Sequence, residues 1–198
     1  MKQSNRLDLR QLQITILYWR ILMVVLLWMG FGATARAQET APEYKIKAVY
    51  LYNFVQYVNW PSNAFVEARS PIVIGILGND PFGKTLNETV EGEVVKNRKL
   101  EIRYFKSVNE IKDCHVLFVG ASEKDRVRSI LAAMKERSIL TVSDIDNFTL
   151  QGGIIRFFTA DNKIRLRINL EAAKTANLGI SSKLLQVAVV VSTDPSLQ

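Results

Sequence analysis

The sequence predicts an α/β fold, a single three-layer domain with a mostly parallel central sheet and an antiparallel edge hairpin. Three observations predict it. Ile72–Leu77 and the run from His115 to Val119 are continuous apolar stretches rich in β-branched residues, the pattern of strands covered on both faces, as in parallel sheets. Helical periodicity alternates with these strands as far as Val142, which argues for helices layered on a sheet. Ile154–Thr159 and Lys163–Asn169 are then separated by the polar pair Asp161-Asn162, a hairpin connection.

Taken in order, residues 1–37 read as a secretory signal peptide and 38–198 as the folded domain. Lys2, Arg6, Arg10 and Arg20 make a basic amino-terminal region, Ile21–Phe31 is an uncharged apolar run of eleven, and Ala35-Arg36-Ala37 is a small-x-small cleavage pattern. The apolar run is shorter than the roughly 20 residues a membrane span needs, and Arg20 prevents its extension. This segment holds five of the 26 basic side chains and one of the 19 acidic ones, leaving 21 against 18. The net charge therefore falls from +7 to +3, and nucleic-acid binding gains no support from it. The remaining 161 residues suffice for one domain with a substantial core.

Gln38–Pro42 reads as a frayed terminus. From Glu43 to Trp60, the spacing of Tyr44, Ala48, Leu51, Tyr52, Val55 and Val58 predicts an amphipathic helix stopped by Trp60-Pro61. After the strand Ile72–Leu77, Gly78-Asn79-Asp80-Pro81 breaks the chain, with Asp80 as N-cap and Pro81 at the first position of a helix running to Val90. Gly92–Val95 suggests a short strand, Leu100–Phe105 a half-exposed one, and Val108–Ile111 a helical turn. Ser122, with Asp125 three residues on, predicts a capped helix to about Arg137, followed by a strand over Ile139–Val142. Beyond the hairpin, Glu171–Ala176 predicts a short helix and Lys183–Val191 a last one, apolar all round and hence buried.

Catalytic patterns are scarce. Gly78-Asn-Asp-Pro-Phe-Gly83-Lys84-Thr85 matches the phosphate-cradling G-x-x-x-x-G-K-[ST] pattern between a strand and a helix. Against it, Pro81 removes a backbone donor and Val119 leads to Gly120 rather than to a magnesium-binding Asp. The lone histidine, His115, rules out multi-histidine metal sites and reads as a structural residue in an apolar strand start. Cys114 is likewise alone, so no internal disulfide forms, and it reads as a small buried hydrophobe. No catalytic residue, metal ligand or cofactor is expected. Two surfaces remain. The strand-end loops around Asn79, Asp80, Phe82, Gly83, Ser122 and Asp144 lie where open parallel sheets meet ligands or partners. The aromatic series of the first helix exceeds what one core-facing stripe needs, and Tyr50, Tyr57 and Trp60 fall partly off that stripe as interface candidates.

Read together, Lys47–Phe54 with Trp60-Pro61, Gly78–Gly83, Cys114–Phe118, Gly152–Phe157, Ile168-Asn-Leu170 and Ser181–Leu185 resemble the YfiR family, the YfiR/HmsC-related periplasmic proteins. The resemblance spans nearly all of 38–198, in order. It implies a non-enzymatic periplasmic negative regulator that restrains a membrane-bound diguanylate cyclase by binding its periplasmic domain, lowering cyclic di-GMP and biofilm output. It leaves open a sensor kinase as the partner, a homodimer, and a rival reading as a periplasmic small-ligand-binding protein using the strand-end loops. Some relatives carry cysteine pairs. With Cys114 alone, a disulfide switch within this monomer has no basis.

Overall fold

The computed structural model describes residues 19–20 and 42–192, so the signal-peptide reading lies outside the described residues apart from Trp19 and Arg20. From Glu39 onward the chain forms one unit. Among the described residues no helix is long and apolar enough to cross a membrane.

The unit opens with helix α1 (Pro42–Tyr57), which leads into the two-residue strand β1 (Val58–Asn59). Next come β2 (Ile72–Leu77), α2 (Lys84–Val90), β3 (Val94–Val95), β4 (Arg98–Phe105) and β5 (Val116–Val119). A 3₁₀ segment, Ala121–Arg126, runs into α3 (Val127–Met134), followed by β6 (Leu140–Ser143) and the hairpin β7 (Ile155–Ala160) and β8 (Lys163–Asn169). The last elements are α4 (Leu170–Thr175), β9 (Gly179–Ile180), α5 (Ser182–Leu185) and β10 (Ala188–Val191).

The main sheet has eight strands in the order β10-β8-β7-β6-β5-β2-β4-β3, and β1 pairs with β9 in a separate antiparallel ribbon. Only β7–β8 and β3–β4 are antiparallel in the main sheet. Because side chains alternate across a strand, β2 feeds two cores. Ile72, Ile74 and Ile76 point to a cluster with Leu51, Phe54 and Val55 of α1 and Leu86 of α2, whereas Leu77 joins Leu117, Val119 and Ile130 of α3 on the other face. The result is the expected three layers, helix on sheet on helix, with a mostly parallel centre.

Four expected elements differ in detail. The first helix stops at Tyr57 because Val58-Asn59 pair with Ile180-Gly179, and strand pairing outweighs the helical spacing short of Trp60-Pro61. Helix α2 begins at Lys84, not Pro81: an Asp80 carboxylate oxygen accepts from the Phe82 N–H at 2.8 Å, so it closes a turn, and Gly83 at φ 54° and ψ −134° is the capping residue instead. Ser122 does not cap its helix; it lies within the 3₁₀ segment, which is entered from Gly120, and α3 ends at Met134. The predicted buried helix Lys183–Val191 is only α5, followed by an exposed strand. The β-branched run Val187-Ala-Val-Val-Val191 joins β8 in parallel register, which suits such side chains better than a helix. The hairpin consequently lies one place inside the sheet edge.

Candidate functional site

The loops at the carboxyl ends of β2 and β5 come together, and hydrogen bonds join them. The Asn79 N–H donates to Ser122 Oγ at 2.9 Å, and the Gly120 N–H to the Leu77 carbonyl at 2.9 Å. Gly78 has φ +85°, and a Cβ there would collide with Ser122 Oγ, so the close approach of these loops requires glycine. Phe82 is fully buried, edge-on to Tyr44 at 5.5 Å and to Phe118 at 4.8 Å between ring centroids. Burial raises the Asp80 carboxyl above its ordinary pKa, opposed by its hydrogen bonds to the Phe82 and Gly83 backbone. Two of the donors a phosphate would need, the N–H groups of Asn79 and Phe82, already have partners within the protein. Lys84 points away, with 85% of its side chain exposed and Glu88 at 3.4 Å.

Asp144, at the end of β6, bonds not to these loops but within a partly buried ionic cluster that sequence reasoning missed. The Tyr44 hydroxyl and the Lys47 ammonium each donate to Asp144 Oδ2 at 2.7 Å, Glu43 is 3.3 Å from Lys47, and the Lys47 Nζ sits 4.1 Å from the Tyr44 ring centre. Burial, then the bond to Asp144, pushes the Tyr44 phenol well above its usual pKa. The signal was in the spacing: Lys47, Leu51, Phe54 and Val58 form the buried stripe of the first turns and beyond, so a lysine stands where the core begins. Glu123, also buried, pairs with Arg126. The cluster carries no spare nucleophile; it ties α1 to the end of β6.

The aromatics expected at an interface, Tyr50, Tyr57 and Trp60, are half-buried. Tyr50 packs against Phe54 and Phe157 at 6.1 and 5.8 Å, and the Tyr57 carbonyl accepts from the Ser181 N–H. The Trp60 indole N–H donates to the His115 carbonyl at 3.3 Å, beside the His115 ring. His115 itself is buried: Nδ1 accepts from the Val73 N–H at 3.1 Å, Nε2 lies 3.2 Å from the Ala64 carbonyl, and Phe65 stacks on the ring at 4.5 Å. Burial lowers its pKa. The buried Cys114 thiol is pushed up to about 12, again by burial, and donates to the Val116 carbonyl. The structural readings of both residues hold.

Apolar side chains are exposed elsewhere. Ile46 and Val49 on α1 and Val187, Val189 and Val190 at β10 are each about half open to solvent. A groove of about 800 Å³ lies between the amino end of α1 and the hairpin, floored by Ile46, Tyr50, Ile164 and Val187 and rimmed by polar groups that include Glu43 and Asn162. Such a floor with a polar rim has the make-up of a protein-contact surface.

Residues 44–189, which take in every element from α1 into β10, match the model of the YfiR/HmsC-like family. The chain belongs to this family. YfiR/HmsC-like proteins are periplasmic and regulatory rather than catalytic, and this chain leaves apolar surface open. A search of curated proteins finds no match.

Proposed function

We propose that the protein is a periplasmic negative regulator that binds the periplasmic domain of a membrane-bound signalling protein, a diguanylate cyclase foremost, and holds it inactive. Cyclic di-GMP and biofilm output fall as a result. The observation that carries this reading is the family match over residues 44–189. Export through residues 1–37 with cleavage after Ala37 delivers the domain to the compartment where that partner is exposed. The mechanism needs no chemistry. A regulator that prefers the partner's inactive conformation shifts its equilibrium by the difference between its affinities for the two states. Moving the partner from 1:99 to 99:1 inactive takes a preference of about 5.5 kcal/mol, within the range of one well-packed protein interface.

The small-ligand reading has weaker support, because the Asn79 N–H is bonded to Ser122 Oγ and the Asp80 carboxylate to the Phe82 N–H of its own turn. The decisive experiment is deletion of the coding sequence in its native host, with cyclic di-GMP measured and the complementing protein used as bait in membrane extracts. A rise in cyclic di-GMP on deletion and co-purification of a membrane cyclase are expected. An unchanged cyclic di-GMP level together with no membrane signalling protein on the bait defeats the reading.

A further inference from the structure

The two edges of the main sheet are built differently. On one side, β4 beyond its short pairing with β3 alternates charges, Glu101 and Arg103 among them, which is how sheets discourage unwanted strand pairing. On the other, β10 is Ala188-Val-Val-Val191, with no charge and with Val189 and Val190 about half exposed. Among the described residues only β8 pairs with it, so among them one row of its backbone donors and acceptors has no strand partner. Apolar and without a charged side chain, it has the character of an edge that another strand can extend.

Register tells what would extend it. Ala188 and Val190 lie opposite Leu166 and Ile168 and so share the face of the sheet that α1 covers, beside the groove floored by Ile46, Tyr50, Ile164 and Val187. Val189 lies opposite Arg167 on the other face, where β8 also presents Lys163 and Arg165 and no acidic side chain. Arg167 sits 4.9 Å from the Phe158 ring, and its Nε is buried without a hydrogen-bond partner.

We propose that β10 is a docking edge for an extended segment of the regulated partner, a ninth strand in which apolar residues alternate with Asp or Glu. Its apolar side chains enter the α1 groove, and its carboxylates face Arg165 and Arg167. Adjacent strands lie about 4.8 Å apart, so carboxylate and guanidinium span about 10 Å across β10, within reach of two long side chains. Charge selects this occupant over a second copy, whose β10 would bring its own Lys163, Arg165 and Arg167 to the composite sheet while its β8 and β10 carry no acid to meet them. The proposal deepens the regulator reading and rests on it only for the partner's being a protein.

The test uses the protein expressed from its full sequence and two labelled peptides, one alternating Val with Glu and one alternating Val with Lys, followed by fluorescence anisotropy and amide hydrogen exchange. The Glu peptide is expected to bind at least about tenfold tighter and to slow exchange at residues 188–191 but not at 100–105. Val190→Lys should weaken it by a similar factor, and Arg165→Glu with Arg167→Glu should turn the preference toward the Lys peptide, which a merely misfolded chain does not do. Equal binding of the two peptides, protection on β4, or a concentration-dependent dimer abolished by Val190→Lys overturns the proposal. Full restraint of cyclic di-GMP by the Val190→Lys and charge-reversed chains also sinks the docking edge while the regulator reading stands. Selective peptide binding by a chain that restrains no membrane protein sustains the edge and sinks that reading.

Discussion

Lys47 is the residue whose removal should be felt most. Its side chain is 5% exposed and that of its partner Asp144 is 14% exposed, so the pair is shielded from water and each charge depends on the other. Lys47→Ala leaves the carboxylate buried with only Tyr44 to meet it, and a loss of about 3 kcal/mol is expected. Asp144→Asn in the same chain should recover part of that loss, because the stranded charge is gone. Urea midpoints of the two single variants and the double variant measure the coupling, and strictly additive losses would show that the pair does not act as one. His115 gives a pH dependence. Its folded pKa lies below that of an unfolded histidine, about 6.5, because burial disfavours the cation and Nδ1 must stay unprotonated to accept from Val73. The unfolded chain therefore takes up a proton first as pH falls. Stability from this group is complete above about pH 6.5 and declines from there down to the folded pKa. His115→Asn should flatten that slope when unfolding midpoints are compared between about pH 5 and 7.5, and an unchanged slope would assign it to other groups.

At the level of elements, α1 is held by rings. Phe54 is fully buried and stacks on Phe157 of β7 at 5.8 Å, with Tyr50 against both, so Phe54→Ala should cost about 3–5 kcal/mol and loosen the helix from the sheet. Loss of α1 amide protection in hydrogen exchange, ahead of the β2 and β5 amides, would show it; simultaneous exchange of all three would not. The buried parallel strands were legible because β2 and β5 are covered on both faces and so read as unbroken apolar runs. The hairpin was legible from Asp161-Asn162, both at positive φ as such a turn demands. What the sequence hid depended on partners far along the chain. Val58-Asn59 became a strand only because Gly179-Ile180 lies beside it, and Val187–Val191 looked like a buried helix because an apolar run does not reveal whether its neighbour is a core or an edge. For the strand-end loops, proximity was legible. The bond between them was not, since Asn79 and Ser122 stand 43 residues apart.

For the whole molecule, the reading as an exported regulator separates into a claim about place and a claim about contact, and the amino-terminal 37 residues make the two testable apart. A chain beginning at Gln38 keeps α1 and every strand, so its domain should fold in the cytosol with unchanged thermal stability. Placed there, it meets none of the periplasmic surface of a membrane cyclase. Expressed in a deletion strain, the leaderless chain should fail to lower cyclic di-GMP, whereas the same domain behind an unrelated cleavable signal peptide should restore restraint in full. Restoration by the leaderless form would place the contact on the cytoplasmic side and remove the periplasmic mechanism. Failure of the signal-swapped form, with the protein recovered intact from the periplasm, would mean that residues 1–37 do more than direct export. The variant Lys84→Ala adds a chemical arm to the comparison. Because that side chain is exposed and meets only Glu88 on its own helix, the change should leave both stability and restraint as they were, in keeping with a protein that acts through its surface.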